Sequence, residues 1–247
     1  MKIIRYILLI IVSIIPLISK SQEYCDFIQK IQDYQDSVKL KPNGDSDILD
    51  SNTFDINTYL SFFDKIELEK GFRINVYFFD NFLDGNPYLY ALKENEKIAD
   101  KNKRALYKAL NKPDFRAKNH VNPKDSEIGF LQYLFFSEMG EQFALKWHAN
   151  YNEKRIICSS DMINRFIKEH TNNEMFSVDS ISLEKLKLYH PEPNVKFNNN
   201  YCEITWIENR THSGLFKCTY HIDRKAPFKI TRINEDKLLD ININFLY

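Results

Sequence analysis

Glycine is scarce, six residues in a chain of 247, and several mechanisms leave with it. There is no glycine-rich loop to cradle a phosphate and no G-x-S-x-G turn to expose a nucleophilic serine. The four cysteines form no C-x-x-C pair and the six histidines no H-x-x-x-H pair, so no metal site is encoded locally. No cofactor motif occurs, and neither metal nor cofactor is expected. An excess of one charge is missing too. Lysine plus arginine number 34 and aspartate plus glutamate 34, with the signs intermixed, which argues against nucleic acid as a partner. After residue 21 no long apolar run recurs.

What is present starts with MKIIRYILLIIVSIIPLISKS, residues 1–21. Lys2 and Arg5 give a cationic start and Ile7 to Ile18 an apolar stretch. Ser19 and Ser21 supply small residues at the −3 and −1 positions of a cleavage site, the layout of a secretory signal peptide of bacterial type. The stretch falls short of the ~20 residues needed to span a membrane. Cleavage after Ser21 is therefore expected, with Gln22 first in the mature chain and Pro16 breaking the helix ahead of the cut. The product is expected to be secreted or periplasmic, with no membrane span after cleavage. Loss of Lys2, Arg5 and Lys20 leaves it slightly acidic.

Hydrophobic periodicity then divides the chain. Phe27, Ile28, Ile31, Tyr34 and Val38 keep helical spacing and predict a helix over 24–39. A second helix is predicted over 55–70, capped by Asp55 and stopped by Gly71. Alternation at Ile74, Val76 and Phe78, the Asp84-Gly85 dipeptide and the run to Leu92 predict a hairpin, followed by a charged helix over 95–111. Asn122-Pro123 reads as the start of another helix, ending at Gly140. Residues 143–158 predict a second hairpin, and Ser160 opens a helix whose apolar face holds Met162, Ile163, Phe166 and Ile167. Residues 22–171 thus read as helix–hairpin–helix units and residues 172–200 as a poorly patterned connection. Residues 201–247 read as a four-stranded antiparallel meander through Cys202–Trp206, Phe216–Ile222, Phe228–Ile230 and Leu239–Phe245. The expected class is α+β, packed as one domain.

The cysteines admit three pairings in an oxidising compartment. A five-residue loop over 208–212 would set Cys202 opposite Cys218 for a bridge, leaving Cys25 to pair with Cys158. The stretch WHANYNEKRIICSSD, residues 147–161, raises a rival use of Cys158: a nucleophile at a helix start, with His148 as its base. Strand parity opposes it. An even-length turn pairs Trp147 with Ile156 and Leu145 with Cys158, which sends the cysteine to the apolar face and His148 to the other. His120 and His212, in loops, and His221, on the polar side of its strand, are expected to be solvated.

The best binding surface in the sequence is the aromatic segment VYFFDNFLDGNPYLY, residues 76–90, with Tyr77, Phe79, Tyr88 and Tyr90 as its candidate ligand or partner residues. Alternation places Tyr77, Phe79, Leu89 and Ala91 on the side away from Val76 and Phe78. These features favour an exported, non-catalytic binding or interaction protein acting on a protein, a glycan or a small ligand. A hydrolase with dispersed catalytic residues, or an inhibitor or immunity-type protein, are the alternatives.

Overall fold

The helical spacing near the N-terminus produces the element on which the rest assembles. In the computed structural model, which describes residues 2–38, 55–81, 84–96, 112–143, 153–171, 176–178, 180–211 and 213–243, helix α1 spans Lys2–Ser37. It continues without a break through Pro16, contrary to the stop expected there. Among the described residues no helix is long and apolar enough to cross a membrane. Tyr24, Cys25, Ile28 and Ile31 recur at three- and four-residue intervals and are buried.

Two glutamines on the same helix are buried as well, and each has a backbone to satisfy. The Gln32 side chain donates to the Ile156 carbonyl (3.2 Å) and accepts from the Ile156 N–H (2.8 Å). Gln35 donates to the Met139 carbonyl (2.9 Å), and the Tyr59 hydroxyl donates to that of Gly140 (2.6 Å). The last two contacts occupy carbonyls that a helix end leaves without intrahelical partners. The helix in question is α3, Glu127–Met139.

Helix α2, Ile56–Ser61, has the expected cap: Asp55 accepts from the Asn57 N–H. It stops ten residues before Gly71, because Gln132 of α3 holds the following turn. The Gln132 oxygen accepts from the Lys65 N–H (2.8 Å) and its amide donates to Asp64 (2.9 Å). Strand β1, Ile66–Leu68, then pairs antiparallel with β4, Val121–Pro123. Gly71, with φ +85°, makes the turn from β1 into the strand that begins at Phe72 instead of ending a helix. Pro123 accordingly closes a strand. Helix α3 begins later, where the Ser126 hydroxyl accepts from the Gly129 N–H.

The predicted first hairpin exists as β2, Phe72–Asn81, and β3, Asp84–Lys93. Asp84 and Gly85 lie inside β3, opposite Asn81 and Asp80, so the turn falls earlier than that dipeptide implied. This register puts Val76 opposite Leu89 and Ile74 opposite Ala91. Leu89 and Ala91 therefore share the side of Val76, a correction to the expected faces. The charged helix over 95–111 and the turn of the second hairpin lie outside the described residues.

The main sheet has five strands. Strands β8, Tyr201–Arg210, β9, Gly214–Asp223, and β10, Ile230–Leu239, form an antiparallel meander. The far edge of β8 is shared. Strand β5, Lys154–Ile157, pairs with its C-terminal half and β7, Asn194–Phe197, with its N-terminal half. The expected fourth meander strand leaves this sheet: β11, Ile241–Ile243, pairs instead with β6, Phe176–Val178. Helix α4, Ser160–Thr171, follows the sequence expectation, and α5, Ser180–Lys187, lies in the poorly patterned region. The fold is α+β, and among the described residues its largest sheet is the five-stranded one.

That sheet has apolar side chains on both faces. Trp206, Cys218, Tyr220 and Ile222 pack into the larger core with α1 and α3, while Ile207, Leu215 and Leu239 join Ile163, Phe166 and Leu186 of α4 and α5 in a second core. A disulfide, Cys25–Cys158, fastens α1 to the segment between β5 and α4 with a Cα–Cα distance of 5.4 Å. Cys202 and Cys218 are both free and buried. The expected bridge between them fails on register. Pairing continues to Arg210 opposite Gly214, so the β8–β9 turn falls two residues later than expected, and Cys202 faces Ile222 while Cys218 faces Trp206.

Candidate functional site

Strand alternation decides which side chains reach the two faces of the β8–β9–β10 meander. Glu203, Thr205 and Ile207 of β8 share one face with Lys217, Thr219 and His221 of β9, opposite the larger core. At one end of that face Ile207, Leu215 and Leu239 lie under α4 and α5. Beyond the helices the chain runs back along the sheet as residues 189–196, ending in β7. The uncovered end is a cleft of about 540 Å³. Its floor is Thr205 and Thr219, and its walls carry Tyr189 and Lys196 on one side and Asn234 and Asp236 on the other.

The polar groups of the cleft are hydrogen-bonded to one another. Thr205 and Thr219 hydroxyls hydrogen-bond across the strands at 3.0 Å. The Asn234 amide donates to Asp236 at 2.8 Å. Glu203 contacts His221 at 3.1 Å and Lys196 at 3.9 Å, and the His221 ring stacks on Tyr201 with centroids 3.8 Å apart. His221 is therefore held half-buried on the polar face, not free in solvent. Lys217 lies opposite Asp236 in the strand register, yet its ammonium sits over the Tyr189 ring, 5.7 Å from the centroid.

The other face holds the one fully buried carboxylate among the described residues. Glu208 follows Trp206 in the apolar alternation and has no exposed side-chain surface. One oxygen accepts from Trp206 Nε1 (3.0 Å) and the Tyr220 hydroxyl (2.5 Å), the other from Arg210 Nε (2.9 Å) and its terminal nitrogen (2.8 Å). Glu235 closes the circuit, bonding Arg210 at 2.7 Å and Arg232 at 2.5 Å, while Arg232 donates to the Tyr220 oxygen. Burial works to raise the Glu208 carboxyl. The Tyr220 hydrogen bond, the Lys154 charge and the Trp206 and Arg210 bonds outweigh it and hold it below the usual carboxylate range. Burial also pushes the Cys202 and Cys218 thiols up to about 12. Both Glu208 oxygens are thus occupied by donors.

The residues singled out from sequence fare differently. Cys158 is spent in the disulfide and has no thiolate to offer, which removes the proposed nucleophile; His148 lies outside the described residues. Tyr77 is 6% exposed, and Tyr88 and Tyr90 are half-buried on the same side of the hairpin. Arg116 lies over the Tyr88 ring (5.7 Å) and its backbone bridges to Tyr90. The Phe79 side chain lies outside the described residues. His120, expected in solvent, instead bonds Glu69 (2.9 Å) and the Asp114 carbonyl (2.8 Å) and stacks on Phe72.

The cleft was missed because its walls come from segments with no pattern of their own. Only the polar alternates Glu203, Thr205, Lys217 and Thr219 were readable. The Glu208 network did leave a signal: a glutamate in step with Cys202, Ile204 and Trp206. No protein-family model matches this chain, and neither does any curated protein or solved structure.

Proposed function

We propose that this is an exported, non-catalytic binding protein that holds its ligand in the cleft on the outer face of the β8–β9–β10 meander. The observation behind this reading is the preorganised polar floor and walls: the Thr205–Thr219 and Asn234–Asp236 pairs sit on a rigid sheet, which lowers the cost of ordering the site on binding. The leader-like residues 1–21 and the Cys25–Cys158 disulfide support export, since such bridges persist in oxidising compartments. The buried acid of the fold, Glu208, is committed to Trp206, Tyr220 and Arg210 and is turned away from the cleft.

The test pairs a thermal-shift screen of defined small ligands with chromogenic ester, glycoside and peptide substrates, on the oxidised protein and on Thr219→Trp, which fills the cleft floor. A ligand that raises the Tm of the native protein but not of the variant, with no turnover of any substrate, is expected. Turnover abolished by cleft substitutions would replace the binding reading with the hydrolase one.

A further inference from the structure

The chemistry of the cleft specifies the class of ligand. Resting on the binding reading above, we infer that the cleft takes a neutral polyhydroxylated ligand, an oligosaccharide segment laid along the outer face of the sheet.

The charge balance excludes the strong ions. Lys196 and Lys217 are offset by Glu192, Glu203 and Asp236, so neither a polyanion nor a polycation meets a field of opposite sign. Sugar hydroxyls need neighbouring donors and acceptors instead. The Asn234–Asp236 pair presents an amide beside a carboxylate, with only one carboxylate oxygen occupied by the Asn234 bond. The threonine pair shares one hydrogen bond, which leaves one hydroxyl proton to donate and lone pairs on both oxygens to accept, on the floor between the walls. Lys217 adds a donor, its ammonium lying over the Tyr189 ring.

Apolar surface completes the match. A sugar ring carries C–H faces as well as hydroxyls, and Tyr189, half-buried at one end of the cleft with Lys217 over its ring, leaves part of its apolar surface for them. The Tyr201–His221 stack extends the same face beyond Glu203. From Lys217 to His221 the strand advances roughly 13 Å at ~3.3 Å per residue, longer than a single sugar ring. The cleft volume, about 540 Å³, falls within the ~300–1,000 Å³ usual for ligand sites.

The deciding experiment presents the oxidised mature protein to a microarray of neutral and uronic-acid oligosaccharides. Affinities of the bound sugars are then measured by titration calorimetry on the native protein, Asp236→Ala and Thr219→Trp, all three with matched urea midpoints. Neutral oligosaccharides are expected to bind, at least about tenfold more weakly to Asp236→Ala because a charged acceptor is lost, and not measurably to Thr219→Trp. Binding confined to acidic glycans overturns the neutral class but leaves the cleft as a binding site. Binding of neutral sugars unchanged in both variants places them elsewhere and overturns the inference. An empty array overturns the ligand class, while the thermal-shift screen judges the binding reading independently.

Discussion

Glu208→Gln is nearly isosteric, yet it should be among the most damaging substitutions in the protein. One carboxylate oxygen receives Trp206 and Tyr220, the other receives Arg210 twice. A glutamine must turn its NH₂ toward one of these sets, so donors face donors in either orientation. Removing one partner of a buried ion pair costs about 3–5 kcal/mol. Arg210 keeps Glu235 as a second partner, which moves the expectation to the low end, about 3 kcal/mol. For a domain of this size that lowers Tm by roughly 6–12 °C.

The assay is equilibrium urea unfolding at several pH values. The folded Glu208 carboxyl lies below its unfolded value of about 4.3. Its stabilisation is thus complete above that value and lost as pH falls through the lower, folded one. The gap between native protein and variant should be constant from about pH 5 to 8 and close only in stronger acid. A loss under about 1 kcal/mol at neutral pH, or a gap that grows in acid, would refute the network's role.

Replacing Cys25 and Cys158 together with serine should cost up to about 5 kcal/mol, the chain-entropy figure for a cross-link spanning 133 residues, read from the urea midpoint; an unchanged midpoint would show the bridge absent from the folded protein. Cys202 and Cys218, with thiols raised to about 12, should resist iodoacetamide at pH 8 in the native state and both react after denaturation. Rapid labelling of either in the native protein would contradict their burial. Gly214→Ala should destabilise by about 2–3 kcal/mol, because Gly214 has φ +103° and a Cβ there would lie 2.0 Å from the Leu239 carbonyl oxygen. A calorimetric Tm within a degree of the parent's would contradict that contact.

Local pattern carried the sequence reading as far as local forces act. Ile28 and Ile31 on α1, the Asp55 cap, Gly140 at the end of α3 and the start of α4 depend on near neighbours and were legible. Long-range contacts were not. Gln132 ends α2 by binding Asp64 and Lys65 from another helix, and no residue in 55–70 announces it. A β8–β9 turn two residues later than expected moved the partner of Cys202 four positions on from Cys218, since register shifts propagate along the whole strand. The cleft required β7, the meander and residues 189–193 to meet, a meeting that periodicity in any one of them does not encode.

Export from the cytoplasm is the claim on which the functional account depends. An intact mass with free-thiol count on the protein recovered from periplasm and medium, denatured without reductant, tests it directly. The account predicts a chain beginning at Gln22 with one disulfide, Cys25–Cys158, and two thiols. A chain retaining Met1, found only in the cytoplasm with four free thiols, would contradict it.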